Sequence, residues 1–169
     1  MNAYPLAHIA CALALATLAP GAARADGPLS PARIPAAYQQ ECAACHLAYP
    51  PALLPAPSWA RLMGGLEHHF GTDASMDERT VQDLGRWLQA HAGTYKRVSE
   101  PPPDDRITRS AWFARKHRRI DTVVWSLPSV KSPAQCAACH TRAAEGRFDE
   151  DELRAPAGLS VSQQRAFRD

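Results

Sequence analysis

The chain has 169 residues, of which 46% are hydrophobic and 21% charged, and it carries a formal net charge of +2. That composition fits a soluble protein of one domain or two small ones and excludes a disordered or fibrous chain. Nineteen Lys plus Arg against 17 Asp plus Glu also exclude the strongly basic field of a nucleic-acid binder.

Aromatic residues make up only 7% of the chain and prolines number 15. The apolar content is therefore mostly alanine, and few large side chains are available to fill a core. Something other than these side chains is expected to supply core volume.

Residues 6–19 form a short apolar run ending at Pro20-Gly21, followed by Ala23-Arg24-Ala25. This pattern reads as an export signal over residues 1–25 with cleavage near Ala25, although the usual basic start is missing. The run is too short for a retained membrane anchor. The expected destination is the periplasm, with no integral membrane segment after the signal is removed.

Removal of the signal takes away Cys11 and leaves Cys42, Cys45, Cys136 and Cys139. They fall in two copies of one pentapeptide, Cys42-Ala43-Ala44-Cys45-His46 and Cys136-Ala137-Ala138-Cys139-His140. Cys-x-x-Cys-His is the attachment signature of c-type haem. Two thiols three positions apart reach the two vinyl groups of one porphyrin edge and form thioethers, and the adjacent histidine supplies the proximal imidazole to the iron.

Two redox-active or structural disulfides would leave both histidines unexplained. One zinc site built from all four cysteines would not need the repeated histidine. Free buried thiols are disfavoured by export. Two covalent haems account for every one of these residues, and they predict a poorly folded chain in their absence.

In chain order, Pro35 opens a short helix from Ala36 to Glu41 that leads into the first motif. The stretch from Tyr49 to Pro57 is proline-dense and apolar, which predicts a loop or extended cover over a haem face. Helices are predicted from Ser58 to Phe70, ended by Gly71, and from Met76 to Ala92, ended by Gly93, with Ser75 to Glu78 as a capping box.

Residues 97–105, with three consecutive prolines, predict an extended connector. A further helix is expected from about Ser110 to Ile120, a weak strand signal lies at Val123-Val124-Trp125, and Ser132-Pro133 should open a helix into the second motif. The predicted class is all-α: short helices packed around two covalently bound haems, with long proline-rich loops. The expected divisions after the signal are an N-terminal haem module (26–100), a C-terminal haem module (101–154) and a loose tail (155–169). No wider similarity between the halves supports a clean duplication.

His46 and His140 occupy one axial position each. The other two fall to His68, His69, His91, His117, Met63 or Met76, or remain open. On a helix at about 100° per residue, His69 borders the apolar stripe of Trp59, Leu62, Met63, Leu66 and Phe70, while His68 points nearly opposite. His117 borders the stripe of Trp112, Phe113 and Ile120. His91 falls within the stripe of Val81, Leu84 and Leu88, so periodicity leaves it as a rival. Methionines in such stripes are more often core fillers than ligands. The run Arg115-Lys116-His117-Arg118-Arg119 reads as a solvated face, or else as cations that meet haem propionates or steer an acidic partner.

These segments resemble a known family, the small soluble dihaem cytochrome c proteins of the bacterial periplasm. The resemblance rests on residues 41–51 around the first motif, Leu53-Leu54-Pro55, Ser58-Trp59, Leu62-Met63, His69-Phe70-Gly71, residues 106–109, Trp112-Phe113 with His117, and residues 131–140, and it spans about residues 35–150. It implies bis-histidine ligation of both irons, with His69 and His117 as distal ligands and His91 as the less favoured alternative. It further implies electron transfer without catalysis. The implied partners are other redox proteins, including an oxygen-binding c-type cytochrome and a membrane b-type cytochrome. A haem enzyme or gas sensor with one open iron is the rival reading, and a thiol oxidoreductase the third.

Overall fold

A computed structural model describes residues 29–94 and 97–167 of the chain. The predicted export signal lies outside the described residues. Five helices follow in order: α1 (Ala36–Cys42), α2 (Ala56–Met63), α3 (Glu78–Ala90), α4 (Ala111–Lys116) and α5 (Val161–Gln164), joined by short 3-10 turns. Among the described residues the only β-type pairings are isolated bridges, His69 with Thr72 and His140 with Leu153. The all-α class holds, and no helix among the described residues is long and apolar enough to cross a membrane.

The helices are short because the sequence interrupts them. The predicted helix from Ser58 to Phe70 stops at Met63, where Gly64-Gly65 intervenes, and resumes only as a 3-10 turn over Leu66–His68. Its start moves back to Ala56, with Pro57 accepted in the first turn where its missing N–H costs nothing. In the next helix Asp77 is the N-cap, accepting from the Thr80 N–H at 3.0 Å. Ser75 does not cap it, because the helix begins at Glu78 and leaves Ser75 two residues ahead of the cap position, where its N–H bonds the Asp73 carboxylate at 2.9 Å.

The helix predicted to reach Ile120 ends at Lys116. Val123-Val124-Trp125 lies in a 3-10 turn capped by Asp121 rather than in a strand. The second motif is not entered from an α-helix: Cys136–Ala138 is a lone 3-10 turn, whereas the first motif does end α1.

The main core lies where α1, α2 and α3 meet. Tyr38, Leu54, Trp59, Met63, Leu66, Leu84 and Leu88 form one buried cluster, with Met76, Val81 and Trp87 partly buried against it. Met63 and Met76 are thus core residues. The proline-dense stretch is itself interior, since Pro50 through Pro55 are buried. Its carbonyls are satisfied in place: Pro51 accepts from the Trp59 indole at 2.8 Å and Leu54 from the Gly93 N–H at 2.8 Å.

The connector after residue 97 is folded back rather than extended. Val98 is buried, Asp104 and Asp105 adopt positive φ of 54° and 53°, and the Asp105 carboxylate takes a two-bonded contact from Arg61 at 2.6 and 2.8 Å. Aspartate tolerates that backbone region better than most residues. The tail expected to be loose contains α5, closed by a capping box between Ser160 and Gln163. It is held by Ser129, whose hydroxyl donates to the Ala157 carbonyl at 2.6 Å.

Two glycines separate close approach from mere helix interior. A side chain at Gly93 would overlap a Val98 methyl and the Ala52 carbonyl, whereas one at Gly85 would meet Met63 at 3.9 Å, an ordinary contact. Gly93→Ala is expected to destabilise the holoprotein by about 1–3 kcal/mol and Gly85→Ala to stabilise it by roughly 0.5–1 kcal/mol, read as melting temperatures of opposite shift.

The Arg61 hydrogen bonds hold the Asp105 carboxyl below its usual range. A depressed folded value means a contribution present above about pH 4 and lost as pH falls through the folded value. Arg61→Ala should therefore melt lower than the parent at neutral pH, with the gap closing on acidification below about pH 4.

Candidate functional site: two facing histidine pairs

The structure brings the predicted histidines together in two pairs. His46 faces His69 with ring centres 6.1 Å apart, and His117 faces His140 with ring centres 6.2 Å apart. An imidazole nitrogen sits about 2 Å from a first-row metal ion, so two rings on opposite sides of one ion have centres about 6 Å apart. The pairs differ in orientation. The ring planes lie 24° apart in the first pair and 79° apart in the second.

Each histidine is placed by a local device rather than by a long helix. His46 follows α1 and donates from Nδ1 to the Leu47 carbonyl at 2.6 Å. His117 caps the C-terminus of α4 and donates from Nδ1 to the Phe113 carbonyl at 2.9 Å. Both contacts leave the Nε2 lone pair free, the arrangement metal-bound histidines use.

His69 sits in a turn rather than on a helix face. It is followed by Phe70 at φ 52° and Gly71 at φ 94°, and the turn closes through the Thr72 N–H on the His69 carbonyl at 3.0 Å. An aromatic residue at positive φ is uncommon and costly, as at many functional turns. The Arg106 guanidinium lies 4.3 Å over the Phe70 ring and helps hold it.

His140 is fixed by a strap from further along the chain. Leu153 pairs with it in a β-bridge, the Arg154 N–H donates to the Cys139 carbonyl at 2.8 Å, and Thr141 contacts the Glu152 carbonyl through both its N–H and its hydroxyl. Arg142 and Arg147 both reach the Glu152 carboxylate. Aromatic rings wall the second pair: Phe113 stacks on His117 at 4.0 Å, Trp125 lies 5.8 Å from it, and Phe148 lies 5.1 Å from His140.

Burial lowers the basicity of three of these imidazoles. His69 is lowered by burial and then by the nearby His46. His117 is lowered by burial, partly opposed by its bond to Phe113. His140 is pushed down to about 4 by burial, with His117 adding to it. All three are thus neutral at pH 7, the state a metal requires. The Nδ1 atoms of His69 and His140 are buried without a hydrogen-bond partner, which marks both pairs as incomplete by themselves.

The cysteines lie unlinked beside the pairs. Burial, with a lesser effect of Glu41, pushes the Cys42 thiol up to about 11, and burial pushes Cys136 up to about 11. A thiol oxidoreductase needs the opposite, a depressed thiol.

His91 joins neither pair. It is exposed at the end of α3, packs on Trp87 at 5.2 Å and bonds its carbonyl through Nδ1 at 2.8 Å. His68 is exposed and turned to the Glu67 carbonyl. Among the described residues no three His, Cys, Asp or Glu side chains converge as a metal site, so a metal at either pair must bring other ligands with it.

Sequence reasoning missed the strap over residues 152–154, the aromatic wall and Tyr49, whose ring stacks on His46 at 4.9 Å. Only the double proline after Tyr49 hinted at a fixed position.

The sequence pattern of the dihaem cytochrome c family matches residues 38–148. The fold is similar to that of a diheme cytochrome c from Shewanella baltica OS155, with 38% identity and a TM-score of 0.64 over 73% of this chain and 96% of that one. It is also similar to DHC purified from Rhodobacter sphaeroides, with 39% identity and a TM-score of 0.59 over 69% of this chain and 98% of that one. No curated protein matches significantly. The chain belongs to the dihaem cytochrome c family.

The cofactors of this family are two haem c groups with their irons. The residues present fit them. Each pair leaves a metal-sized gap between its imidazoles, each has an orphaned buried nitrogen on one member, and each adjoins a Cys-x-x-Cys segment. A porphyrin brings the four further ligands that the protein lacks.

Proposed function

We propose that this protein is a periplasmic electron carrier in which His46 and His69 hold one iron and His117 and His140 the other, with both haems anchored through Cys42, Cys45, Cys136 and Cys139. The observation that carries the proposal is the spacing of the two imidazole pairs, 6.1 and 6.2 Å between ring centres. When bound, each haem supplies an iron that gains and loses one electron without transfer of atoms. With two histidines of the chain committed to each iron, neither site would admit a substrate, and no acid, base or nucleophile would be called on.

The work of the chain is positional. Leu47 and Phe113 carbonyls fix the tautomers of His46 and His117. The Phe70-Gly71 turn and the Leu153 strap hold the facing histidines, and the surrounding aromatic rings exclude water, which together set potential and reorganisation. The N-terminal apolar segment directs export and is cleaved near Ala25. The partners are other redox proteins, among them the oxygen-binding c-type and membrane b-type cytochromes that the resemblance implies.

Protein matured in a host competent for c-type haem attachment is expected to carry two haems per chain and to give a six-coordinate, low-spin spectrum that does not bind carbon monoxide when reduced. His69→Ala and His117→Ala should each convert one haem to a carbon monoxide-binding form, while His91→Ala should leave the spectrum unchanged. Carbon monoxide binding by the unaltered protein would favour a haem enzyme or gas sensor instead.

The ring planes give a second test. Nearly parallel imidazoles act through the same iron d-orbital and split the pair, whereas nearly perpendicular ones act on one each and leave the pair almost degenerate. Electron paramagnetic resonance of the oxidised protein should therefore show two different low-spin signals. His69→Ala should remove the less anisotropic one and His117→Ala the more anisotropic one.

A further inference from the structure

One side chain, that of Tyr49, joins the two attachment segments. Tyr49 stacks its ring on His46 at 4.9 Å, and its hydroxyl donates to the Ala134 carbonyl at 2.8 Å, across 85 positions of the chain. That carbonyl also accepts the Cys136 N–H at 3.0 Å. One residue thus touches an iron-ligand candidate of the first site and the oxygen that positions the first cysteine of the second.

Tyr49 is itself held from behind. The buried Tyr38 hydroxyl donates to the Tyr49 carbonyl at 2.5 Å, and the next two residues are the fully buried Pro50 and Pro51, whose rings fix their backbone. The side chain therefore leaves a rigid point of the core and has little freedom to follow independent motion of the second site.

The segments also share a cavity of about 300 Å³, lined on one side by Ala43, His46 and Ala48 and on the other by Gln135, Cys136 and Ala137. The small residues between the cysteines, Ala43 and Ala137, both face it. The space between the two segments is thus not filled by packed side chains, and the Tyr49 hydrogen bond to the Ala134 carbonyl, next to the lining residue Gln135, is a specific tie between them.

We infer that Tyr49 is a positioning residue that fixes the spacing of the two haem sites and makes their redox states interdependent. This rests on the two-haem, electron-carrier reading. The role divides between the two ends of the side chain: the ring bears on His46, and the hydroxyl sets where the Ala134-Gln135-Cys136 segment lies. Tyr49→Phe keeps the first contact and loses the second.

The test uses the holoprotein and Tyr49→Phe. Haem content and the six-coordinate spectrum are checked first, since a change there bears on the carrier reading and not on Tyr49. With both intact, a redox titration should show the equilibrium constant for sharing one electron between the haems altered by about threefold or more, the scale of one lost hydrogen bond. The mutual spin-relaxation enhancement of the two ferric centres should change as well. A merely structural tyrosine would lower the melting temperature and leave both redox and magnetic readouts where they were, and that result overturns the inference.

If Tyr49→Phe does not accumulate, the unaltered holoprotein decides. Two independent one-electron titration curves, with resonance signals that relax as isolated centres, would equally overturn it, and interacting curves with enhanced relaxation would support it.

Discussion

Everything in this fold answers to the requirement that two imidazoles be held opposite one another with ring centres about 6 Å apart, and that this be done twice. Such an arrangement is unfavourable by itself. Burial suppresses the charged form of His69, His117 and His140, and the Nδ1 atoms of His69 and His140 have no partner. An unpaired buried polar group costs of order 1–3 kcal/mol. The geometry is sensible only as the protein half of a centre whose other half is a metal and its macrocycle. That also explains how a chain with so few aromatic residues supports a folded domain: part of its core is not polypeptide.

The two pairs are held by different means, and the difference follows from the order of the parts. In the first half the motif comes before the facing histidine, and both are set by the packed cluster of α1, α2 and α3. In the second half the facing histidine comes first, at the end of the six-residue α4, and among the described residues no comparable helical cluster lies behind the motif. Local caps, the Leu153 bridge and the Glu152 contacts with Arg142 and Arg147 take over. The similar ring spacing in the two pairs, reached through opposite chain order, argues that the metal centre constrains the structure and that internal repetition does not.

The chemistry was more legible in the sequence than the geometry. The repeated Cys-Ala-Ala-Cys-His states a covalent reaction whose spacing is set by the porphyrin, so Cys42, Cys45, His46, Cys136, Cys139 and His140 could be read directly. Periodicity favours His69 and His117 only by treating their segments as continuous helices. Each nevertheless lies just past the end of regular structure, at the turn closed by Phe70-Gly71 and at the cap of α4. The apolar stripe pointed to the right side of the backbone because the preceding turns still orient the chain, even though Gly64-Gly65 breaks the helix. His91 occupies the matching position at the cap of α3, but its ring packs on Trp87 at the exposed end of that helix and joins neither pair, a difference that periodicity does not register. The strap at residues 152–154 left no periodic signal, since a single bridge and a few backbone contacts need no pattern of side chains.

The unlike construction of the two sites bears on how a carrier of this kind would work. Two identical centres would share an electron evenly. Here one pair of rings is nearly parallel and the other nearly perpendicular, one site is backed by a helical core and the other by a strap and an aromatic wall, and both open on one cavity. Ligand orientation, burial and nearby hydrogen bonds are the levers by which a protein separates the potentials of chemically identical haems. On the proposed carrier role, a molecule that applies each of them differently at its two ends, and ties those ends together through Tyr49, would accept an electron at one site and hold it preferentially at the other.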